Sequence, residues 1–201
     1  MKTMRGSEAI KFIGSQFYKN FDFSKDPING IYKTVYEKFI KGLENYNTEK
    51  GILLIGNIGV GKTALMRIMQ KLFKDTFRSF KWVNSYELYE MFEEMPLSTI
   101  KEMYGKNYFG DLYIDDIGIG NGIIQKYGNK TNIISELIVE RYELFVSTGI
   151  KTHLSSNIST KLDKIKYPNV QTLEELYGNR VLDRINEMCD NIIWKGESLR
   201  K

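Results

Sequence analysis

The sequence has little of three residue types that often define a site or a boundary: one cysteine, one histidine and three prolines in 201 residues. A single cysteine, Cys189, excludes an internal disulfide, which fits a reducing compartment. A single histidine, His153, excludes a zinc site of clustered Cys and His side chains, and its apolar-flanked strand favours a structural role. Since Pro-rich linkers, internal repeats and low-complexity tracts are also missing, we expect one domain.

Long hydrophobic runs are absent as well. The longest surrounds Ile52–Ile55, far short of the roughly 20 apolar residues that a membrane-spanning helix needs. The first residues carry charges throughout and lack the apolar segment of a signal peptide. We therefore expect a cytoplasmic protein without a membrane segment. The net charge of +4 permits contact with nucleic-acid phosphates but leaves the partner open.

Hydrophobic periodicity predicts strands and helices in alternation. Apolar stripes at helical spacing predict four helices. The first follows Thr63, the second begins near residue 85, the third spans 131–147, and the fourth runs from Thr172 to about Met188 with an interruption at Gly178. Capping-box spacing marks two of these starts, at Asn84 with Glu87 and at Thr172 with Glu175. The predicted strands are Ile52–Ile55, which is a short apolar run, Phe80–Val83, Leu112–Ile114, Thr152–Ser155 and Ile192–Trp194.

Strands that alternate with helices predict an α/β fold, a five-stranded parallel sheet covered by helices on both faces. Glycine-rich stretches at 56–61 and 118–122 fall just after strand ends. In open parallel sheets ligands bind at that edge.

A complete phosphate-binding loop joins the first strand to the helix after it. The pattern G-x-x-x-x-G-K-T points successive backbone N–H groups at phosphates, and the helix adds its positive end. Lys62 supplies a positive charge for the β- and γ-phosphates of ATP, and the Thr63 hydroxyl is a Mg²⁺ ligand. The residues that we expect around the nucleotide are Gly56, Asn57, Ile58, Gly59, Val60, Gly61, Lys62, Thr63 and Ala64.

The second part of a nucleotide site is an acidic group at the end of a neighbouring strand. Asp115 and Asp116 follow the apolar strand at 112–114, about 50 residues after the loop. We expect Asp115 to hold Mg²⁺, directly or through water. Asp116 is placed to orient or deprotonate the attacking water.

Four motifs in this order resemble the DnaC/IstB-like branch of AAA+ ATPases. They are the P-loop, the segment YIDDIG at 113–118, THLSSN at 152–157 and YGNRVLDR at 177–184. The resemblance implies an oligomerising P-loop ATPase that acts on DNA, as a helicase loader in replication or as a helper of transposition. Single-stranded DNA, and a replicative helicase or a transposase, are then the expected partners.

The resemblance also assigns roles to residues outside the P-loop. Asn157 matches the sensor-1 residue, which holds the attacking water beside the γ-phosphate. Arg184 matches the arginine finger that reaches a neighbouring subunit's site, with Arg180 as the second candidate. Arg200 matches a C-terminal arginine that contacts nucleotide from the far side.

Domain boundaries follow from the same resemblance. Only Lys195–Lys201 follow the last strand, so we expect no C-terminal helical lid, as in the DnaC/IstB branch. We expect residues 1–16 to be a short N-terminal extension and 17–201 to be the ATPase domain. Longer family members carry a partner-binding domain in place of that extension.

A stretch rich in tyrosine and lysine lies between the helix at 85 and the Asp-Asp pair. Interleaved aromatic rings and cations can bind single-stranded DNA without reading its sequence. They can equally complete the edge of the core. The residues concerned are Tyr86, Tyr89, Lys101, Tyr104, Lys106 and Tyr108.

Two other functions fit parts of this pattern. A small-molecule kinase of the nucleoside monophosphate type has a similar loop, but the sequence lacks an arginine-rich acceptor lid. An adaptor that binds ATP and rarely hydrolyses it is the other alternative, because Asp at 116 holds a water less closely than Glu would.

Overall fold

A computed structural model describes residues 6–19, 22, 30–44, 49–119, 123–126, 129–160 and 171–200. Seven strands lie in these ranges: β1 (Gly51–Gly56), β2 (Phe80–Asn84), β3 (Asp111–Ile117), β4 (Ile123–Lys126), β5 (Asn129–Asn132), β6 (Thr152–Ser156) and β7 (Cys189–Trp194). The helices are α1 (Gly6–Phe17), α2 (Ile31–Glu44), α3 (Lys62–Leu72), α4 (Ser85–Glu94), α5 (Leu97–Tyr104), α6 (Ile133–Thr148), α7 (Leu173–Tyr177) and α8 (Asn179–Met188).

The main sheet has five strands in the order β2-β3-β6-β1-β7, and every neighbouring pair is parallel. The five strands are those that periodicity predicts. Because all of them point the same way, their carboxyl ends meet at one edge, which we call the carboxyl edge. The opposite edge is the amino edge. A separate antiparallel hairpin, β4–β5, precedes α6 and was not predicted.

Helices cover both faces of the sheet, as predicted. In the central strand β1, Leu53 and Ile55 pack into one core cluster, and Ile52 and Leu54 pack into the other. The first cluster takes residues from α4 to α8, and the second takes residues from α1, α2 and α3. A strand buried on both sides reads as a continuous apolar run, which is the pattern of 52–55.

The predicted helix starts are confirmed in two places and shifted in a third. Both capping boxes form, with Asn84 and Thr172 accepting from the amides that follow them. Gly178, at φ 81° and ψ 160°, separates α7 from α8 as predicted. The helix predicted over 131–147 is wrong at its start. Asn132 belongs to β5 and its side chain accepts from the Ser135 amide, so the helix begins at Ile133.

Helix α1 overlaps the predicted domain boundary at residue 17. It packs on α2 and α3, and Ile10 is fully buried in the second core cluster. The boundary itself stays a prediction. In the part of the chain that the structure describes, no helix is long and apolar enough to cross a membrane.

Candidate functional site

The P-loop wraps the carboxyl end of β1 and leads into α3. Gly59 and Gly61 have φ of 86° and 100°, a left-handed conformation that only glycine adopts without strain. At Gly56 a Cβ would lie 2.7 Å from the carbonyl oxygen of Trp194. The first bond of α3 runs from the Leu65 amide to the Gly61 oxygen. The amides before Leu65 therefore have no acceptor within the helix and are available to an anion.

The Lys62 side chain turns back over this loop. Its Nζ donates to the carbonyl oxygens of Gly56 at 2.7 Å and Asn57 at 3.1 Å, and to Asn157 Oδ1 at 2.6 Å. These acceptors are neutral, so they hold the ammonium group without cancelling its charge. Burial lowers the pKa of Lys62, and the nearby carboxylates of Asp116 and Asp115 oppose this shift.

Asp115 is buried at the carboxyl end of β3, with 2% of its surface exposed. Its Oδ1 accepts from Tyr113 Oη at 2.6 Å, Ser155 Oγ at 2.6 Å and Thr63 Oγ1 at 3.3 Å. Burial, and then the charge of Asp115, raises the pKa of the Tyr113 hydroxyl well above its ordinary value. The Thr63 hydroxyl and the Asp115 carboxylate thus lie together, as a shared Mg²⁺ ligand pair requires.

Asp116 has an unusual backbone conformation for a residue with a side chain, with φ of 62°. It lies where the register between β3 and β6 shifts. Ser155 Oγ accepts from its amide at 2.8 Å, and Ser85 Oγ donates to its carbonyl oxygen at 2.7 Å. An irregularity of this kind re-aims a side chain at the end of a strand. Burial, and then the charge of Asp115, raises the pKa of Asp116, while Lys62 opposes the shift.

Asn157, directly after β6, joins the lysine to the second aspartate. Its Oδ1 accepts from Lys62, and its Nδ2 donates to Asp116 Oδ1 at 2.6 Å. The structure therefore brings Lys62, Asp116 and Asn157 into one hydrogen-bonded group, as the sequence suggests. Their catalytic roles stay predictions.

The C-terminal segment lies against the P-loop. The Leu199 amide donates to the Gly59 oxygen at 2.9 Å, and the Asp22 amide donates to the Leu199 oxygen at 3.1 Å. A Cβ on Gly59 would collide with Ser198 Oγ. Arg200 follows, and it lines the pocket above the loop. The described residues around this pocket are Ile58, Gly59, Gly61, Lys62, Thr63, Ala64, Asp116, Asn157 and Arg200.

Arg184 and Arg180 are not among the residues that line this pocket. Arg184 is half-buried on α8, with its guanidinium carbon 5.5 Å from the centre of the Tyr142 ring. Arg180 is exposed in the first turn of the same helix. Since α8 ends where β7 begins at the amino edge, Arg180 lies about 6 Å nearer the carboxyl edge than Arg184.

The tyrosine- and lysine-rich stretch is largely structural. Tyr104 is only 5% exposed and packs in the core, so of the two alternatives the structure supports the structural one for this residue. Lys101 lies 2.8 Å from Glu136 and 3.3 Å from Glu140, which neutralise it. The half-buried Tyr108 ring lies beneath Lys81. Tyr86, 59% exposed, remains open to a base.

Three site residues were missed by the sequence reasoning: Tyr113, Ser155 and Ser85. Only Tyr113 had a usable signal, because it lies two residues before Asp115 and alternation places both on one side of the strand. Ser155 and Ser85 reach the site from β6 and from the start of α4, which no local pattern in β3 reveals.

The residues present fit a magnesium nucleotide. Gly59 and Gly61 hold the loop in left-handed conformations, and Lys62 Nζ is held by neutral acceptors that a phosphate can replace. Among the described residues, no group of three or more His, Cys, Asp or Glu side chains is placed to hold a metal. Mg²⁺ commonly uses one or two protein oxygens together with phosphate and water, which is what Thr63 and Asp115 provide.

No protein-family model matches this sequence, and the search of curated proteins finds no match. Solved structures do match. The DnaC helicase loader aligns with a TM-score of 0.55 at 18% identity, over 90% of this chain and 99% of that chain. DnaI aligns with a TM-score of 0.59 at 21% identity, over 84% of each chain.

A third solved structure is that of the replication initiator DnaA bound to AMPPCP and single-stranded DNA. It aligns with a TM-score of 0.53 at 16% identity, over 91% of this chain and 52% of that chain. At these identities the comparisons show the fold. That fold is the α/β P-loop NTPase fold of DnaC-like AAA+ proteins, which the resemblance predicts.

Proposed function

We propose that the chain binds ATP with Mg²⁺ and hydrolyses it, as a self-associating ATPase that acts on DNA. The observation that carries the proposal is the group formed by Lys62, Asn157 and Asp116 beside the P-loop. It places a cation for phosphate, a polar side chain and a carboxylate around one opening. We assign the group to water activation rather than to a phosphate-accepting substrate.

Each side chain has a distinct task in this scheme. Lys62 exchanges neutral carbonyl partners for the charged phosphate, which strengthens its hydrogen bonds. Asp116 accepts a proton from the attacking water or orients it, and Asn157 fixes the carboxylate and the water. The raised pKa of Asp116 makes it a better proton acceptor. When bound, Mg²⁺ would neutralise phosphate charge, held by Thr63 and Asp115.

A role in DNA replication is supported by the similar structures, which include a helicase loader and a DnaA bound to single-stranded DNA. Helicase loading is our first candidate, and help in transposition is the alternative that the sequence motifs suggest. Tyr86 and the exposed Lys106 are the DNA-contacting candidates that remain from the stretch at 86–108. A cytoplasmic location and an ATPase domain at 17–201 are part of the same proposal.

Phosphate release from ATP is the measurement that tests the function. The purified chain is assayed with Mg²⁺ or with EDTA, with or without single-stranded DNA, and with a panel of nucleoside monophosphates. We expect Mg²⁺-dependent phosphate release that DNA stimulates. Transfer of phosphate to a nucleoside monophosphate would instead identify a kinase. Tight ATP binding without turnover under every condition would identify an adaptor.

The shared-site proposal concerns Arg184 and Arg180. We expect one of them to complete a neighbouring subunit's site, because neither lines the pocket of its own chain. Mixing Lys62→Ala with Arg184→Ala, and separately with Arg180→Ala, tests both. An interface in which the arginine variant's P-loop meets the arginine of a Lys62→Ala subunit is complete, so activity returns for the correct residue. A residue is excluded if its single variant is fully active, or if its inactive variant co-assembles with Lys62→Ala and the mixture stays inactive.

A further inference from the structure

Ser155 contacts both acidic residues of the site. It is fully buried in β6, and its hydroxyl donates to Asp115 Oδ1 at 2.6 Å. The same oxygen accepts from the Asp116 amide at 2.8 Å. A hydroxyl can donate once and accept at the same time, so these two bonds are compatible. One side chain thus ties a carboxylate and the neighbouring backbone together.

The backbone that Ser155 holds is strained. A φ of 62° at Asp116 is a left-handed conformation that side chains disfavour, and it persists only where surrounding contacts impose it. Ser155 Oγ accepts from the Asp116 N–H, and Ser85 Oγ donates to the Asp116 carbonyl oxygen. Together these two bonds fix the direction in which the Asp116 side chain leaves the strand.

The carboxylate of Asp115 is oriented by the same hydroxyl. All three hydrogen bonds that the described residues donate to it end on Oδ1, from Tyr113, Ser155 and Thr63. The Tyr113 hydroxyl bonds to Asp115 and also interacts with the Ser155 hydroxyl, whereas Ser155 bonds to Asp115 and to the Asp116 amide. The two donors are therefore separable by substitution.

We infer that Ser155 is a positioning residue that sets Asp115 for Mg²⁺ and Asp116 for the attacking water, while Tyr113 sets only Asp115. This inference rests on the proposed ATPase function. Outer-shell partners of metal ligands typically change metal affinity or activity 10- to 100-fold when removed. A displacement of about 1 Å at a catalytic group can cost about 100-fold in rate.

Three variants separate the roles. Ser155→Ala removes the bonds to Asp115 and to the Asp116 amide, and Tyr113→Phe removes the tyrosine's bond to Asp115 and its interaction with Ser155 but leaves the bond from the Asp116 amide to Ser155. Ser156→Ala is the matched control: it is the next residue of β6, is equally buried, and bonds to the Ile117 oxygen and the Ile158 amide instead of to either acid. Melting temperatures of all three are measured beside the wild type.

Two readouts follow, one with turnover and one without. ATPase rates are measured across Mg²⁺ concentrations, and Mn²⁺ binding to the protein–ADP complex is followed by electron paramagnetic resonance. For Ser155→Ala we expect kcat to fall roughly 10- to 100-fold at saturating Mg²⁺, and Mn²⁺ affinity to fall about tenfold. For Tyr113→Phe we expect only the metal affinity to fall, with kcat retained. Ser156→Ala should retain both, and nucleotide affinity without metal should hold in all three.

Several results overturn the inference. Wild-type kcat and Mn²⁺ affinity in Ser155→Ala would do so, as would equal losses in Ser155→Ala and Ser156→Ala. If Tyr113→Phe lowers kcat as much as Ser155→Ala, the division between the two residues is wrong. Should Ser155→Ala fail to fold, Ser155→Cys carries the same test, because a thiol keeps the volume but is a weak acceptor. A wild type that binds ATP but releases no phosphate refutes the proposed function itself, and this inference falls with it.

Discussion

Both edges of the five-stranded sheet bury cations beside an aspartate of β3, but they satisfy those charges in different ways. At the amino edge Arg78 lies 3.0 Å from Asp111, and both are almost fully buried. At the carboxyl edge Lys62 is held by neutral acceptors, and Asp116 is bonded by Asn157. The cation and the acid there are linked through an amide instead of pairing directly.

Arg141 shows the structural extreme of the amino edge. It is fully buried, and its guanidinium donates to the carbonyl oxygens of residues 105, 108, 110 and 151 and to the Thr152 hydroxyl. Every N–H that the group has is used. Such an arginine fastens a loop and a strand to α6 and has nothing left for a ligand.

The pKa shifts alone do not distinguish the two edges. Burial raises the pKa of Asp111 at the amino edge, against the charge of Arg78, and burial also raises the pKa of Asp116 at the carboxyl edge. What differs is geometry: one group of charges is closed by protein partners, and the other lines an opening. Buried charged groups indicate a candidate site only where they line an opening that a ligand can enter.

The largest expected effect is on catalysis at the carboxyl edge. Lys62→Ala should lower ATP turnover by at least about 10²–10³-fold, because it removes a preorganised cation from the transferring phosphate. The free energy of unfolding should change little, since the lysine bonds to loop carbonyls that water can also reach. Turnover and urea denaturation are measured on one preparation, with Lys74→Ala, an exposed lysine after α3, as the control. Near-normal turnover would refute the site.

The next largest effect is on stability at the amino edge. Arg141→Met should lower the free energy of unfolding by at least about 3 kcal/mol, because each buried acceptor left without a partner costs about 1–3 kcal/mol. Arg141→Lys should lose less, since it keeps the charge and part of the bonding. Urea denaturation measures both, with Arg180→Met as the exposed control. A loss for Arg141→Met no greater than that of the control would show that the buried network stabilises nothing.

The smallest expected effect concerns pH. Burial, and then the charge of Arg78, lowers the pKa of His153 well below 6.5, with further contributions from Lys151, Arg141 and Lys38. The folded state thus keeps this ring neutral while the unfolded chain takes up a proton. The stability contributed by the neutral ring is present above about pH 6.5 and is lost as the pH falls below it.

His153→Phe removes this proton uptake and keeps a ring to stack on Phe39, whose centre lies 4.9 Å from that of the histidine. As the pH falls from 7.5 to 5.5, the free energy of unfolding of the variant should rise by about 1.4 kcal/mol relative to that of the wild type. Urea denaturation at several pH values checks this difference. Parallel pH curves for the two proteins would show that the histidine titrates as freely when folded as when unfolded.

Features confined to a few consecutive residues were predictable. The P-loop is one, because phosphates are bound there by successive amides and by the start of one helix, all within 56–64. The two capping boxes and the break at Gly178 are others, since a cap is a bond between residues three apart. Strand β1 followed from its apolar run, because a parallel strand covered on both faces has few polar positions.

Contacts between distant segments were not predictable in this way. The Leu199 bond to Gly59 spans 140 residues, and Ser155 in β6 bonds to Asp116 in the neighbouring strand β3. Tyr104 looked like a stacking residue because its ring and its lysine neighbours are visible in the sequence. Its burial depends on the packing of α5, which the sequence pattern does not show.

The sequence by itself determined the order of strands and helices, the phosphate loop and the pair of acids. These features depend on hydrogen bonds and on alternation of buried positions among residues close together in the chain. Only the tertiary structure decided which charges are closed off and which line the opening. Arg141 and Lys62 are both buried cations, the first on α6 and the second at the start of α3. Arg141 meets five acceptors from two segments, and Lys62 meets three neutral acceptors beside a pocket. That difference arises from the meeting of strands far apart in the chain, whose side chains desolvate and pair only after the sheet has formed.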